Sequence, residues 1–182
     1  DGESDGGGSS GAGYIKPRIK LEFGARGDTE PSGLQSIQPY LAEEFQEELP
    51  DALCTVPTLA AERTFWEKVT ILHALHHNGK LRDGMSRHYY DTLMLVNGGI
   101  ADQFDVELLA QVVHNKSLMF PDPKASYETA VLGSLKLIPS DDVVVKLQSD
   151  YAAMAEMFME TPPSFAELIS GLEALESRLN NG

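Results

Sequence analysis

The spacing of apolar residues changes along this chain, and that change constrains the fold more than any other feature. Between residues 14 and 23, apolar and charged side chains alternate, which is typical of a half-buried β-strand. From Thr58 onward the apolar spacing is that of α-helices. The sequence therefore predicts an α+β fold, in which a short N-terminal β portion completes a sheet begun elsewhere and precedes a predominantly helical domain.

Three segments are expected. Residues 1–13 consist almost entirely of Gly, Ser and acidic residues, which cannot bury enough apolar surface to become ordered. Because the chain begins with Asp1 in such a segment, we expect that it was cut inside a flexible loop of a longer protein. Residues 14–57 form the β portion, with two more short strands near 36–40 and 53–56. Residues 58–182 form the helical domain.

Five or six helices are expected in that domain, and most carry local start and stop signals. The signals are Thr58 as N-cap of a helix ending at Asn78-Gly79, Ser86 and Asn97-Gly98-Gly99 around a second helix, Asp105 before a third, Pro139-Ser140 before a fourth, and Ser164 with Glu167 at the start of a fifth. The apolar face of the third helix is expected to include Val106. The last two helices are expected to pack as an antiparallel hairpin.

Composition limits the partners and the compartment. The chain has 28 acidic and 14 basic residues and a net charge of -14, so it should not attract nucleic acid nonspecifically. No apolar run approaches the length of about 18 residues that a membrane span requires. The single Cys54 cannot form an internal disulfide. We expect a cytoplasmic protein without a membrane partner.

Scarce positive charge collects on one face of the first predicted strand, at Lys16, Arg18 and Lys20. Such a row could form a local anion site, because phosphates settle beside cations. The simpler interpretation is a solvated outer face next to a sheet edge, and the pattern alone favours it.

Lys68 interrupts the apolar face of the first long helix. On a helical wheel it falls between Leu72 and Leu75. An unpaired ammonium is costly to bury. Either its stem reaches the rim, or the ammonium meets an anion in a pocket against this helix. The spacing weighs these two possibilities equally.

Two other polar arrangements leave alternatives open. Arg87 and Asp91 are one turn apart on the second helix, either as an exposed ion pair or at the lip of the pocket that Lys68 enters. His73 and His77 are also one turn apart, but no acidic residue lies between them as in a zinc hydrolase. We therefore expect ordinary histidines on the polar face of the helix.

Read in order, several stretches resemble one family, the nucleotidyltransferase toxins of the AbiEii type, which belong to abortive-infection and related toxin–antitoxin systems. The matching stretches are Ile19 to Arg26, Glu62 to Lys68, Ser86 to Asp91, and Leu137 to Met154. The likeness covers nearly everything after Tyr14.

The resemblance implies transfer of a nucleotide from an NTP to an acceptor, with RNA, including tRNA, as an acceptor class, and with Mg²⁺ as cofactor. It places the lysine of the third family motif at Lys68, which would hold the triphosphate. The aspartate of the fourth motif falls at Asp91, and Glu22 would be a third acidic residue near the metals. Phosphate contacts would come from Arg26 and Arg87, with Lys20 as a further substrate-binding cation. A cognate antitoxin is the implied partner.

The chain departs from the family pattern in one respect. The first two family motifs, a Gly-Ser or Gly-Gly turn and a paired Asp-x-Asp on strands, are absent, and the low-complexity residues 1–13 cannot replace them. Without that acidic pair, two magnesium ions lack an adequate set of oxygen ligands. We expect the chain by itself to be inactive, although the parent protein is an enzyme. The alternative is a noncatalytic helical interaction module that kept only the scaffold.

Overall fold

The computed structural model describes residues 27–181, so the predicted strand at 14–23 lies outside the described part. Two antiparallel strands come first, β1 (Ser32–Ile37) and β2 (Cys54–Leu59), with Ser32 opposite Leu59 and Ile37 opposite Cys54. Their connection contains a short helix, α1 (Tyr40–Glu44). Two extended segments are therefore present and pair with each other, but the first lies several residues earlier than the expected 36–40, because Tyr40 already begins α1.

Five longer helices follow the hairpin, which confirms the α+β class with a short β part and a predominantly helical remainder. They are α2 (Ala61–Asn78), α3 (Ser86–Asn97), α4 (Val106–Met119), α5 (Asp141–Ala153) and α6 (Phe165–Asn181), with short 3-10 turns at Tyr127–Thr129 and Met154–Met157. In the described part of the chain, no helix combines the length and apolar character needed to cross a bilayer.

Helix α2 lies at the centre of the helical part. It packs against α3 and α4, and α3 packs in turn against α5 and α6. Burial of large apolar side chains from all five helices supplies the main stabilising free energy. The largest fully buried apolar side chains are Phe65, Trp66, Leu72, Tyr89, Leu109, Leu135, Leu137, Leu147, Met154, Leu168 and Leu172.

Several helix boundaries follow the local signals. Helix α2 ends at Gly79, whose φ of 61° is left-handed and whose N–H bonds the carbonyl of Leu75. Asp105 caps α4 by accepting the N–H of Leu108 at 2.9 Å. Ser164 and Glu167 form the reciprocal bonds of a capping box at the start of α6.

Three expectations were wrong, and one short helix was not expected. Thr58 lies within β2 opposite Gly33, so it does not cap α2, which begins at Ala61. Helix α1 has only five residues, which is too short for the periodic spacing of apolar residues that predicts a helix. Val106 is 55% exposed because Leu108, Leu109 and Val112 form the buried face of α4. Helices α5 and α6 both pack on α3 and do not form a hairpin along their stripes.

The start of α3 is fixed by a carboxylate from α5. Asp150 accepts the backbone N–H groups of Gly84 at 2.6 Å and Ser86 at 2.8 Å. Partial burial raises the pKa of Asp150, but the hydrogen bonds from Ser86 and Gly84 outweigh it and hold that pKa below its usual value. This contact orients the first turns of α3, which carry the polar residues described next.

Candidate nucleotide-binding site

Lys68 and Asp91 meet where α2 packs against α3. The Lys68 Nζ donates a hydrogen bond to Asp91 Oδ2 at 2.5 Å. The Lys68 side chain is 19% exposed and that of Asp91 is 39% exposed, so solvent reaches the pair from one side. The structure thus brings these two predicted site residues together. The anion that meets the out-of-place lysine is a carboxylate of the chain itself.

His88 is a third member of this group, and no role was predicted for it. Its Nδ1 lies 3.2 Å from Lys68 Nζ. An ammonium only donates hydrogen bonds, so Nδ1 must accept and the imidazole must be neutral. Burial, and then the positive charges of Lys68 and Arg87, lower the pKa of His88 to about 4. We call Lys68, His88 and Asp91 the lysine cluster.

A sequence signal for His88 did exist. Residues three apart on a helix lie on the same face, and His88 precedes Asp91 by three positions. The apolar surroundings of Lys68 indicate an anionic partner, and they carry no signal for a neutral acceptor. Helical spacing on α3 alone would have placed both side chains toward the same neighbour.

Arg87 lies on the exposed flank of α3. Within residues 27–181 no ion pair joins it to Asp91, so the surface pair considered from the spacing does not form. Arg87 instead borders two cavities, one on either side of the first turns of α3.

The two cavities differ in charge. The acidic cavity, of about 650 Å³, includes three carboxylates and one arginine among its lining residues, which are Tyr40, Glu43, Arg87, Tyr90, Asp91, Met154, Met157, Phe158, Met159 and Glu160. The basic cavity, of about 660 Å³, includes four cations and one carboxylate among its lining residues, which are Thr70, Ile71, Ala74, Leu75, Asn78, Lys80, Leu81, Arg82, Met85, Arg87, His88, Lys116, Phe120, Asp122 and Tyr127.

Arg63 is a buried cation that the sequence analysis also left without a role. Its side chain is fully buried; Nη1 donates to the carbonyl of Glu30, and Nη2 lies 3.2 Å from Asp28 Oδ2. Glu67 lies near both Arg63 Nε, at 3.5 Å, and Lys116 Nζ, at 3.7 Å. These contacts attach the segment before β1 to α2 and α4, next to the lysine cluster. The sequence signal for the contact between Arg63 and Glu67 is their spacing of four, which places both side chains on one face of a helix.

Three predicted site residues cannot be placed in this arrangement. Glu22, Arg26 and Lys20 lie outside the described residues, so their proposed roles at the metal and the substrate stay predictions.

The described residues do not fit a magnesium site on their own. Among residues 27–181 no group of three or more His, Cys, Asp or Glu side chains could hold a metal ion. Mg²⁺ prefers an octahedral set of oxygen ligands. The lysine cluster offers one carboxylate, and an oxygen of that carboxylate already contacts Lys68.

The histidines of α2 were expected on its polar face. His73 is instead fully buried: its Nδ1 accepts the N–H of Lys136, and its Nε2 lies 3.0 Å from the carbonyl of Ser126. Since Nδ1 accepts, Nε2 carries the proton and donates. Burial lowers the pKa of His73, which keeps the ring neutral. Both ring nitrogens are thus used within the protein, and neither is left for a metal.

The chain belongs to the AbiEii family of nucleotidyl transferase toxins, from type IV toxin–antitoxin systems, whose family model matches residues 6–179. The match spans the hairpin and the helices, except for the last two residues of α6. Membership in a toxin–antitoxin family implies a cognate antitoxin as partner. No curated protein and no solved structure matches the chain.

Proposed function

We propose that the lysine cluster is one part of a site that transfers a nucleotide from an NTP to an acceptor. The observation that carries this proposal is the geometry of the Lys68 ammonium. It has three N–H donors, and the structure uses two of them, on Asp91 Oδ2 and His88 Nδ1. The third donor is available to a phosphate oxygen that enters from the exposed side.

The reaction explains why a held cation is useful. The acceptor hydroxyl oxygen forms a bond to the α-phosphorus of the NTP, and the bond from that phosphorus to the leaving pyrophosphate breaks. Negative charge accumulates on the phosphate oxygens in the transition state, so a fixed cation nearby lowers the barrier. Asp91 and His88 hold the Lys68 ammonium in place before substrate arrives. No rearrangement of the cation is then needed during the reaction.

Asp91 also faces the acidic cavity, which we propose receives the NTP. Oδ1 of Asp91 forms no hydrogen bond with any described residue, so it can orient the nucleotide. Aromatic side chains in this cavity suit a nucleobase, because the rings of Tyr90 and Phe158 lie 4.7 Å apart and offer apolar surface. Arg87, at the same cavity, would contact a phosphate.

Further parts of the proposal concern groups beyond the described residues. We propose Mg²⁺ as cofactor, Glu22 as one ligand, and Arg26 and Lys20 as phosphate contacts. Because the 182 residues contain no Asp-x-Asp pair, we expect this chain alone not to catalyse transfer. RNA, including tRNA, is the acceptor class that we propose. A cytoplasmic location stays a prediction.

A transfer assay tests the proposal. The translation product of the complete reading frame is incubated with labelled NTP, Mg²⁺ and RNA, and label in the RNA is measured. Lys68→Ala should lower transfer by about 10²- to 10³-fold, the loss typical of removing one preorganised group from the transition state. Lys124→Ala, which removes an exposed lysine outside both cavities, is the matched control and should leave transfer unchanged. Equal activity of the Lys68 variant and its control would contradict the proposal.

One observation favours the noncatalytic alternative. The charge of Lys68 is already compensated by Asp91, as a scaffold without a ligand would require. The two functions differ in what they bind. An interaction module should show no affinity for Mg·NTP, whereas the enzyme should bind Mg·NTP more weakly after Lys68→Ala.

A further inference from the structure

A separate cavity lies along the outer face of α4, and we call it the α4 pocket. It is lined by α4, through residues that include Val106, Ala110 and Val113, and by the segment 121–132 that follows this helix. Its volume of about 610 Å³ is within the range of about 300–1,000 Å³ that is usual for small-molecule sites.

The lining of the α4 pocket is mostly apolar. Most of its lining residues are Val, Leu, Ala or Pro. Leu109 and Ala130 are buried and form its floor, whereas Val106 and Val131 are more than half exposed to solvent. Apolar side chains that surround one open cavity on a protein surface are typical of a ligand site. A ligand with an apolar body would gain free energy by covering them.

The charge of the α4 pocket is negative. Carboxylates of Asp122 and Glu128 line it, and none of the described residues that line it is Lys or Arg. Asp122 accepts hydrogen bonds from Lys80 Nζ at 2.7 Å and from Asn78 Nδ2 at 3.1 Å, so its charge is already compensated. Glu128 forms no ion pair with any residue between 27 and 181. Its carboxylate is therefore available to a cationic ligand.

The α4 pocket is distinct from the lysine cluster. Asp122 and Tyr127 line both this pocket and the basic cavity, but no member of the lysine cluster is among the described residues that line the α4 pocket. Carboxylates repel phosphate groups, and no lining cation offsets that repulsion. The ligand of the α4 pocket must therefore differ in chemistry from the phosphate-bearing ligand of the proposed transfer reaction.

We propose that the α4 pocket binds a small organic amine, with an aromatic or aliphatic body against the apolar lining and a protonated amino group at Glu128. An ammonium group has three N–H donors, and a carboxylate only accepts, so the two groups form a charge-assisted hydrogen bond. The apolar lining supplies most of the affinity, and Glu128 selects a cation over an anion. This site would bind its ligand whether or not the chain takes part in nucleotide transfer.

An NMR titration with two probes of opposite charge tests the inference. The probes are 3-phenylpropylamine and 3-phenylpropionate, which share the same ring and the same length of chain. Amide chemical shifts of the isotope-labelled 182-residue chain report binding, and ligands of this size have dissociation constants on the order of 1 mM. The amine should bind about five- to tenfold more tightly than the carboxylate, because a partly exposed carboxylate attracts one probe and repels the other.

Two variants locate the ligand. Glu128→Gln should weaken binding of the amine by about two- to fivefold, the effect of one partly exposed charge pair. Glu173→Gln removes an exposed carboxylate of α6 outside the α4 pocket and is the matched control, so it should leave the affinity unchanged. Ala110→Phe places a ring in the pocket from an exposed position on α4, and it should abolish binding of both probes.

The outcomes decide the inference without the transfer assay. Equal affinity for the amine and the carboxylate overturns it, as does an amine affinity that is the same in Glu128→Gln and in the original chain. Amine binding that survives Ala110→Phe overturns it as well, because the ligand would then occupy another surface. Fluorescence of the buried Trp66 shows whether each variant is folded. If Ala110→Phe does not fold, the comparison of Glu128→Gln with its control still decides.

Discussion

Protonation of His88 should destabilise the fold in a specific pH range. The pKa of His88 is lowered from 6.5 to about 4 by burial and by the nearby charges of Lys68 and Arg87, with a smaller effect from Lys116 and an opposing one from Asp91. Between these two pKa values the unfolded chain binds a proton that the folded protein does not bind. Stability therefore decreases as the pH falls from about 6.5 toward 4.

The size of this effect follows from the difference in pKa. Each pH unit in that window lowers the free energy of unfolding by about 1.4 kcal/mol. From pH 7 to pH 5 the window covers about 1.5 pH units, so His88 should account for about 2 kcal/mol. His88→Gln keeps an acceptor for Lys68 and removes the titrating group. The variant should lose about 2 kcal/mol less than the original chain over the same pH change.

Urea unfolding at pH 7 and pH 5 measures the difference. The buried Trp66 is the single tryptophan of the chain and reports unfolding by fluorescence. The other histidines are present in both proteins, so their contributions cancel in the comparison. Equal losses of stability in the two proteins would contradict the proposed protonation of His88. The NMR signal of His88 is identified by its absence from the variant. A titration midpoint of that signal near pH 6.5 would also contradict the prediction.

Two further predictions concern the helix starts. Asp150→Ala should lower the free energy of unfolding by about 1–3 kcal/mol, because the N–H groups of Gly84 and Ser86 lose their acceptor. Since the pKa of Asp150 is lowered, its contribution to stability is present above the unfolded pKa of about 3.9 and is lost as the pH falls through the folded value. Urea unfolding at pH 6 and pH 3 should therefore show that the variant loses less stability in acid than the original chain. An equal loss of stability would argue against this assignment. Asp105→Ala should cost about 1 kcal/mol through the lost cap on Leu108, and an unchanged urea midpoint would show that the cap is not needed.

The parts of the fold that could be predicted depend on local signals. The end of α2 at Gly79 and the capping box of Ser164 and Glu167 are set by residues within a few positions of each other. Such signals act whatever surrounds them, so the sequence is sufficient to find them.

The wrong predictions concern residues whose structure depends on partners that are distant in the sequence. Thr58 is a good N-cap by type, but its backbone pairs with Gly33, and strand pairing with β1 therefore delays the start of α2. The apolar stripes of α5 and α6 indicate which face of each helix is buried but do not indicate which element it packs against. In the structure both helices pack against α3. His73 is buried because Ser126 and Lys136 supply hydrogen-bonding partners from a loop more than fifty residues away.

The candidate site could be predicted in part. The helical wheel left two possibilities for Lys68, a stem that reaches the rim or an anion in a pocket, and the resemblance indicated Asp91 as a functional residue. The wheel could not show that the anion comes from the neighbouring helix, because that depends on how α2 and α3 pack. His88 was missed because its role depends on this same packing. The two cavities beside α3 depend on residues from several elements, so no single stretch of sequence indicates them.

A double-mutant cycle on nucleotide transfer shows whether Lys68 and Asp91 act together in the reaction. The rate of label transfer to RNA is measured for the product of the complete reading frame and for Lys68→Ala, Asp91→Ala and the double variant. If the ammonium and the carboxylate act as a unit, each single change removes most of the activity, and the double change costs little more than either one. Losses that multiply in the double variant, or transfer that survives both substitutions, would contradict the account.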